Sequence, residues 1–442
     1  MASRVSRPRG VALALSLAAL AASGGVTFAA FSAQTSNNAS SVAAAPDWTA
    51  PSASRSVIAR SSGGNVGTIS KGDGYYVYGE VTDSGNPPSG VASATADVGA
   101  VTAGQTAVAL SSGPCPCTVD ALSYNHRSAL LTADDPLADG VKGYSITSSD
   151  SASPLNTNTN TGFSVSADST PPTISAAVVQ KSTGGSGGFI KQGASYHVYA
   201  NVTDATGVAS ASADTGSFDT GETAAPLSAG SWTVDGTTYS RRSALLTAEA
   251  TIAEGAYGFS ITATDTLGRA ATRSSDSVQV DNTAPTATDV QAVNAAANAG
   301  RPEQNDTLTY TFSEPVEPSS ILAGWTGAAT DVVVRIANSA TDTLTIANSA
   351  DTAQLPFGSL DLGRADYVSA QQEFGKGGQK SVMSRSGNSV TVVLGLRTAN
   401  VSTTAAATGT MTWAPSATAT DRAGNAMTTT ALTETGAADK EF

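Results

Sequence analysis

RSALLTA at residues 127–133 returns letter for letter at 242–248. The identity extends outward on both sides. TVDALSYNHRSALLTA (118–133) matches TVDGTTYSRRSALLTA (233–248), and YYVYGEVTD (75–83) matches YHVYANVTD (196–204). GVASATAD (90–97) matches GVASASAD (207–214), and GYSIT (143–147) matches GFSIT (258–262). The matched blocks keep one order, so the chain carries an internal duplication. The first copy has four extra residues within SGNPPS (84–89), a loop composition that tolerates insertion.

The duplicated blocks read as strands. In 75–83, Tyr75, Val77, Gly79 and Val81 share one face; Tyr76, Tyr78, Glu80 and Thr82 share the other. The second copy places Tyr196, Val198, Ala200 and Val202 on the first face. A period of two is the pattern of a half-buried antiparallel strand. RSALLTA is accordingly read as a core strand, its leucines inward and the flanking Arg127 and Arg242 wet, because packing between sheets constrains a strand more than a loop.

Turn chemistry agrees. Asp204-Ala205-Thr206-Gly207, Asp265-Thr266-Leu267-Gly268 and Asp421-Arg422-Ala423-Gly424 share the form D-x-x-G. The aspartate accepts a backbone N–H and the glycine takes the positive φ. Strands of five to nine residues between such turns, in units of about 115–120 residues, predict sandwiches of roughly seven strands. The fold class is all-β, with tandem β-sandwich domains after an N-terminal signal helix.

Composition narrows the function. Only 13% of the 442 residues are charged and 40% are apolar, which favours thin cores rich in Val and Ala over one large globule. The net charge of −13 and the absence of a basic cluster beyond the first ten residues argue against nucleic acid as a partner. Two histidines and two cysteines leave few routes to catalysis or transition-metal binding.

Arg4, Arg7 and Arg9 precede the apolar run VALALSLAALAA (11–22), and Thr27-Phe28-Ala29 offers a small-x-small cleavage pattern. Residues 1–30 are therefore read as a secretory signal peptide. The rival reading is an uncut anchor, since 10–31 contains no charge, and a membrane is a partner only in that case. Residues 31–46 read as a flexible spacer. The string D-x-T-x-P opens each later unit, at 47–51, 168–172 and 281–285. The map is thus sandwich 1 at 47–167, its duplicate at 168–280, and a divergent sandwich 3 at 281–442. Strand candidates in the last are 307–313, 331–337, 342–348, 389–395 and 410–416, with 363–388 read as loops.

Two resemblances follow. GGVTFAAFSA (24–33) resembles the signal segment of TasA-like and camelysin-like secreted proteins. The D-x-T-x-P joints, V-T-D-x-(x)-G-V, ATDRAGN (419–425) and TYTFSEPVEPSSI (309–321) resemble tandem bacterial Ig-like modules of exported and surface proteins. That resemblance implies spacers, adhesins or appendages. It also implies calcium at the domain joints as a cofactor, with Asp168 and Asp281 as ligands.

The joint acids Asp47, Asp168 and Asp281 and the turn acids Asp83, Asp204, Asp265 and Asp421 have a plainer reading, in which each carboxylate caps its own turn. Cys115-Pro116-Cys117 has three: a local disulfide in an oxidising exterior, intermolecular or free thiols, or a Cys-Cys-His metal site with His126 that lacks a fourth ligand. His126 and His197 read as surface residues, and Trp48, Trp232, Trp325 and Trp413 as core or edge packing rather than a sugar platform.

The sequence therefore predicts a secreted or cell-surface structural and adhesive protein without catalysis, meeting an extracellular protein or glycan. One alternative is a carbohydrate- or protein-binding module with its site in the third domain around 363–388. Another is a hydrolase with an unrecognised site there.

Overall fold

A computed structural model describes residues 47–295 and 298–442; the signal and spacer readings fall on residues outside the described ones. Among the described residues the only helix is the four-residue turn Pro318–Ile321, and no helix is long and apolar enough to cross a membrane.

In the first unit, Gly74–Thr82 pairs antiparallel with Ser52–Arg60 on one side and His126–Ser128 on the other. Val108–Ser111 turns the corner: Leu110 lies opposite Ser128 in this layer, and Ala109 opposite Thr95 in the next. The second layer is Val91–Asp97, Gly140–Asp150 and Thr157–Ala167, edged by the parallel Thr68–Ile69. The result is an Ig-like β-sandwich.

The second unit repeats this order with Thr173–Lys181, Ser195–Thr203, Thr237–Ser243, Ala225–Val234, Val208–Asp214, Gly255–Asp265 and Ala270–Val280, edged by Phe189–Ile190. The faces read from the alternation are the buried ones: Tyr75, Val77 and Val81, and Tyr196, Val198, Ala200 and Val202. They meet Ile146 and Val165 in one core and Ile261 and Val278 in the other. The D-x-x-G turns form as read, with Gly207, Gly268 and Gly424 at φ of 99°, 89° and 93°.

RSALLTA corrects its own reading. Leu130 and Leu245 are each 57% exposed, and Leu131 and Leu246 are half-buried. Strand pairing stops at Ser128 and Ser243 and resumes at Leu131–Thr132 and Leu246–Thr247. The buried groups are the serines. Ser128 Oγ accepts from Val77 N at 2.9 Å and donates to the Ala129 carbonyl at 2.7 Å. Ser243 Oγ makes the same two bonds, to Val198 N and the Ala244 carbonyl, at 2.9 and 2.7 Å. The hydroxyl carries the ladder across a strand break, because a buried backbone N–H must find an acceptor. Arg127 and Arg242 are half-buried, lying over the rings of Tyr76 and Trp232 at 4.5 and 4.7 Å.

The third unit is larger. Its sheet runs Ala287–Val293, Thr307–Phe312, Ser389–Val393, Ser381–Ser386, Thr330–Ala337, Thr343–Asn348, Ser359–Asp361, Thr412–Ala414 and Leu432–Thr433. Fully buried Trp413 stands edge-on to Tyr310 and Phe312. The loop reading of 363–388 is corrected: Gln372–Phe374 and Ser381–Ser386 are strands, and Tyr367, Val368, Phe374 and Met383 belong to the core. Glycine and glutamine masked a strand pair there, since Phe374 finds its partner Val334 only across the sheet.

Candidate metal centres at the joints

Three acids gather at the leading end of each unit. One opens the D-x-T-x-P string, one follows the second long strand, and one donates its own N–H across a tight turn to the Asn156, Arg269 or Asn425 carbonyl. The sets are Asp47, Asp83 and Asp150; Asp168, Asp204 and Asp265; and Asp281, Glu314 and Asp421. In the second and third sets, one carboxylate oxygen from each acid lies within 4.8 Å of the others.

The turn-capping reading of these acids holds for one oxygen of each. Asp168 Oδ1 accepts from Thr170 N, Asp204 Oδ1 from Thr206 N and Oγ1, and Asp281 Oδ1 from Thr283 N. Asp265 Oδ1 accepts from Leu267 N at 2.8 Å and Arg269 N at 2.7 Å.

The second oxygens separate the three sets. In the first, Asp47 Oδ2 accepts from Ser89 N and Oγ, and Asp150 Oδ2 accepts from Asn156 Nδ2. Bonds from Thr49 and Ser89 hold Asp47 below the usual carboxylate range. In the third, Asn425 Nδ2 donates to Asp421 Oδ2 at 2.7 Å and to the Asp281 carbonyl at 2.8 Å. Burial and then the charge of Asp281 raise Asp421, although bonds from Asn425 and Gly424 oppose the rise. Burial, followed by the Asp281 carboxylate, pushes Glu314 up to about 8.

In the second set the asparagine position is Arg269: its carbonyl accepts from Asp265 N, as the Asn156 carbonyl accepts from Asp150 N and the Asn425 carbonyl from Asp421 N. Asp168 Oδ2 and Asp265 Oδ2 are left buried with no hydrogen-bond partner, on residues 3% and 1% exposed. No lysine or arginine among the described residues forms an ion pair with Asp168, Asp204 or Asp265. A cleft of about 400 Å³, lined by Asp139, Asp168, Thr170, Asp204 and Thr206, runs beside them.

The joints themselves are built alike. Arg60 ends the first strand of unit 1 and donates to the Leu267 and Thr266 carbonyls of unit 2 at 3.1 and 3.3 Å. Lys181, at the equivalent strand end of unit 2, donates to the Arg422 carbonyl of unit 3. Arg269 returns from unit 2 to Ser70 Oγ and the Lys71 carbonyl of unit 1. At the second joint Lys191 Nζ reaches the Gly424 carbonyl, and Lys181 faces Glu317 at 3.7 Å with both side chains buried. Burial acts to raise Glu317, yet bonds from Ser186 and Ser319 and the Lys181 charge hold it low.

Other sequence candidates lie apart from the joints. Cys115 and Cys117 are bonded to each other, so neither is a thiolate ligand beside His126. His126 Nδ1 contacts Asn125 Oδ1, and His197 Nδ1 contacts the Ser243 and Ala244 carbonyls. Trp413 and Trp325 are buried and Trp232 lies under Arg242, but Trp48 is 70% exposed beside the first acid set. Sequence reasoning singled out Asp168, Asp204 and Asp265 separately and did not join them. Glu314 and Arg269 went unnoticed, although the change from Gly424-Asn425 to Gly268-Arg269 in matching turns was a readable signal.

No family model matches the chain, and no curated protein matches it in sequence. Among solved structures, the chain is similar to the titin I-band fragment I67–I69, at 10% identity and a TM-score of 0.25 over 87% of this chain and 96% of that one. It is also similar to the FN1–FN3 domains of chicken CNTN1, at 9% identity and a TM-score of 0.23 over 77% and 100%. A third likeness is to Bacteroides ovatus SGBP-B in complex with a mixed-linkage heptasaccharide, at 14% identity and a TM-score of 0.16 over 87% and 70%. Likenesses at this level carry no argument about function; the strand pairing defines the fold.

Proposed function

We propose that the chain is a non-catalytic extracellular spacer, three Ig-like sandwiches in series that hold a surface or partner at a distance. One observation carries this reading: both joints use the same contact, a cation at the end of the first strand donating to the D-x-x-G turn of the next unit. Strand Gly255–Asp265 runs from one joint to the other. A strand of that length spans roughly 35 Å, so three units in line reach on the order of 100 Å.

Export supports the same role. Signal 1–30 delivers the chain outside, where an extracellular protein or glycan meets it. The third unit does not favour the binding or hydrolase alternatives around 363–388: Tyr367 and Phe374 are buried, and Glu373 is paired with Arg335 and Lys376.

Small-angle scattering of the full chain tests the spacer. An in-line arrangement predicts a radius of gyration of about 30 Å, whereas a compact globule of this length gives roughly 22 Å. The compact value sinks the reading. Mass spectrometry of the native N-terminus tests export: a chain beginning near residue 31 in the culture medium is expected, and an intact Met1 in the membrane fraction means an anchor instead.

A further inference from the structure

We propose that the Cys115–Cys117 disulfide is a thiol–disulfide exchange site, an oxidant for a pair of cysteine thiols on another protein. The bond closes across a single residue, and these are the only two cysteines of the chain, so the incoming thiols belong to another molecule. Both cysteines are half-buried while Pro114, Pro116 and Thr118 around them are exposed, which leaves the bond open to a thiolate from solvent.

The duplicate shows that the fold does not need this bond. Cys117–Val119 pairs with Leu122–Tyr124, setting Cys117 opposite Tyr124, Thr118 opposite Ser123 and Val119 opposite Leu122. Unit 2 holds the same register, Trp232 with Tyr239, Thr233 with Thr238 and Val234 with Thr237, and has Gly230-Ser231-Trp232 where unit 1 has Cys115-Pro116-Cys117. Both hairpins turn on two residues of positive φ, Asp120 and Ala121 in one, Asp235 and Gly236 in the other. Unit 1 also grips its hairpin without the sulfurs: Arg55 Nη2 donates to the Ser123 carbonyl at 2.7 Å, and the Tyr124 ring packs on Tyr78.

A disulfide stabilises a fold according to the length of chain it closes, and this one closes almost none. The dependence is mutual, so a fold that gains little from the bond offers little resistance to its reduction. An accessible disulfide without a structural role is of the labile, exchanging kind.

The reaction takes two steps. A partner thiolate attacks one sulfur of the pair; a mixed disulfide forms as the Cys115–Cys117 bond breaks, and the electron pair leaves on the other sulfur, which takes a proton. The partner's second thiolate then attacks the partner sulfur of the mixed disulfide. The partner's own disulfide forms, and the remaining cysteine leaves as a thiolate and is protonated. Two electrons and two protons pass from partner to chain. The released cysteine stays two positions from its former mate, so it re-closes the ring and expels a lone thiol. Only a second thiol held close by carries the exchange forward, which selects a dithiol. The bond is consumed once per chain, so the proposal goes beyond the spacer reading and does not rest on it.

The oxidised full chain is mixed without air with a tenfold excess of a reduced synthetic peptide carrying two cysteines separated by two residues. Alkylation and mass spectrometry are expected to find about one equivalent of peptide disulfide per chain, with both chain cysteines alkylated. A peptide with one cysteine replaced by serine is expected to reduce the chain about tenfold less. The double variant Cys115→Ser with Cys117→Ser is expected to leave the dithiol peptide reduced. It should keep the parent's circular dichroism spectrum and a thermal midpoint within about 3 °C. A chain disulfide left intact by the dithiol peptide overturns the site, as does equal reduction by the one-thiol peptide or peptide oxidation that persists with the double variant. So does a larger fall in the double variant's midpoint, which would make the bond a structural staple.

Discussion

Arg269 Nε donates to Ser70 Oγ at 2.6 Å, joining two residues 199 positions apart in sequence and in different sandwiches. With Arg60 on the Leu267 and Thr266 carbonyls, this contact sets how the second unit sits on the first. Replacing Arg60 by alanine should loosen the joint without unfolding either unit. Each charge-assisted bond lost is worth roughly 1.5–3 kcal/mol when buried. The expected result is a broader distance distribution in small-angle scattering with an unchanged circular dichroism spectrum. An unchanged distribution would show that the Arg269 contacts and the linker fix the geometry without Arg60.

The second joint depends on a buried pair. Lys181→Met removes the cation paired with Glu317, and breaking a buried ion pair on one side costs about 3–5 kcal/mol. The double variant Lys181→Met with Glu317→Gln should recover part of that loss, because no buried charge is stranded. Chemical denaturation of the single and double variants checks the order. Equal losses would mean that the Ser186 and Ser319 bonds of Glu317, not the pair, hold the joint.

The duplicated stretch makes an unusual stability forecast. Ser243→Ala should cost about 1–3 kcal/mol, since it strands the Val198 N–H in the core. Leu245→Ala, at a site 57% exposed, should stay within roughly 0.5 kcal/mol. Thermal unfolding of the two variants decides the matter, and a larger effect from the leucine would restore the core-strand reading.

Glu441 predicts a pH dependence in the third unit. Burial first, then the charges of Glu434 and Asp439, push its carboxyl up to about 9. The folded state therefore keeps a proton that the unfolded chain releases at about pH 4.3. Its contribution to stability is full below that pH and is lost as pH rises towards about 9. Glu441→Gln keeps a neutral side chain at every pH, so its melting temperature should exceed that of the parent by several degrees at pH 9. The two should converge at pH 4. Parallel curves across the range would remove Glu441 as the source.

By itself the sequence determined the duplication, the strand faces and the turns. These are local: a period of two fixes which of Tyr75 and Tyr76 is buried, and D-x-x-G fixes a turn wherever it occurs. It misplaced the leucines of RSALLTA because identity between copies marks a shared constraint without saying whether the leucine or the serine bears it. It missed Gln372–Phe374 because its partner strand lies some 40 residues away, and Ser381–Ser386, although it pairs locally with Ser389–Val393, because the glycine- and glutamine-rich run before it read as loop.

Only the tertiary structure decided the joints and the acid sets. Asp168, Asp204 and Asp265 are spread over about a hundred residues, and each alone is an ordinary turn cap. Their meeting, and the two oxygens left without donors, follow from strand register and from the direction in which Arg269 turns. Both are settled by packing between segments, which no local pattern encodes.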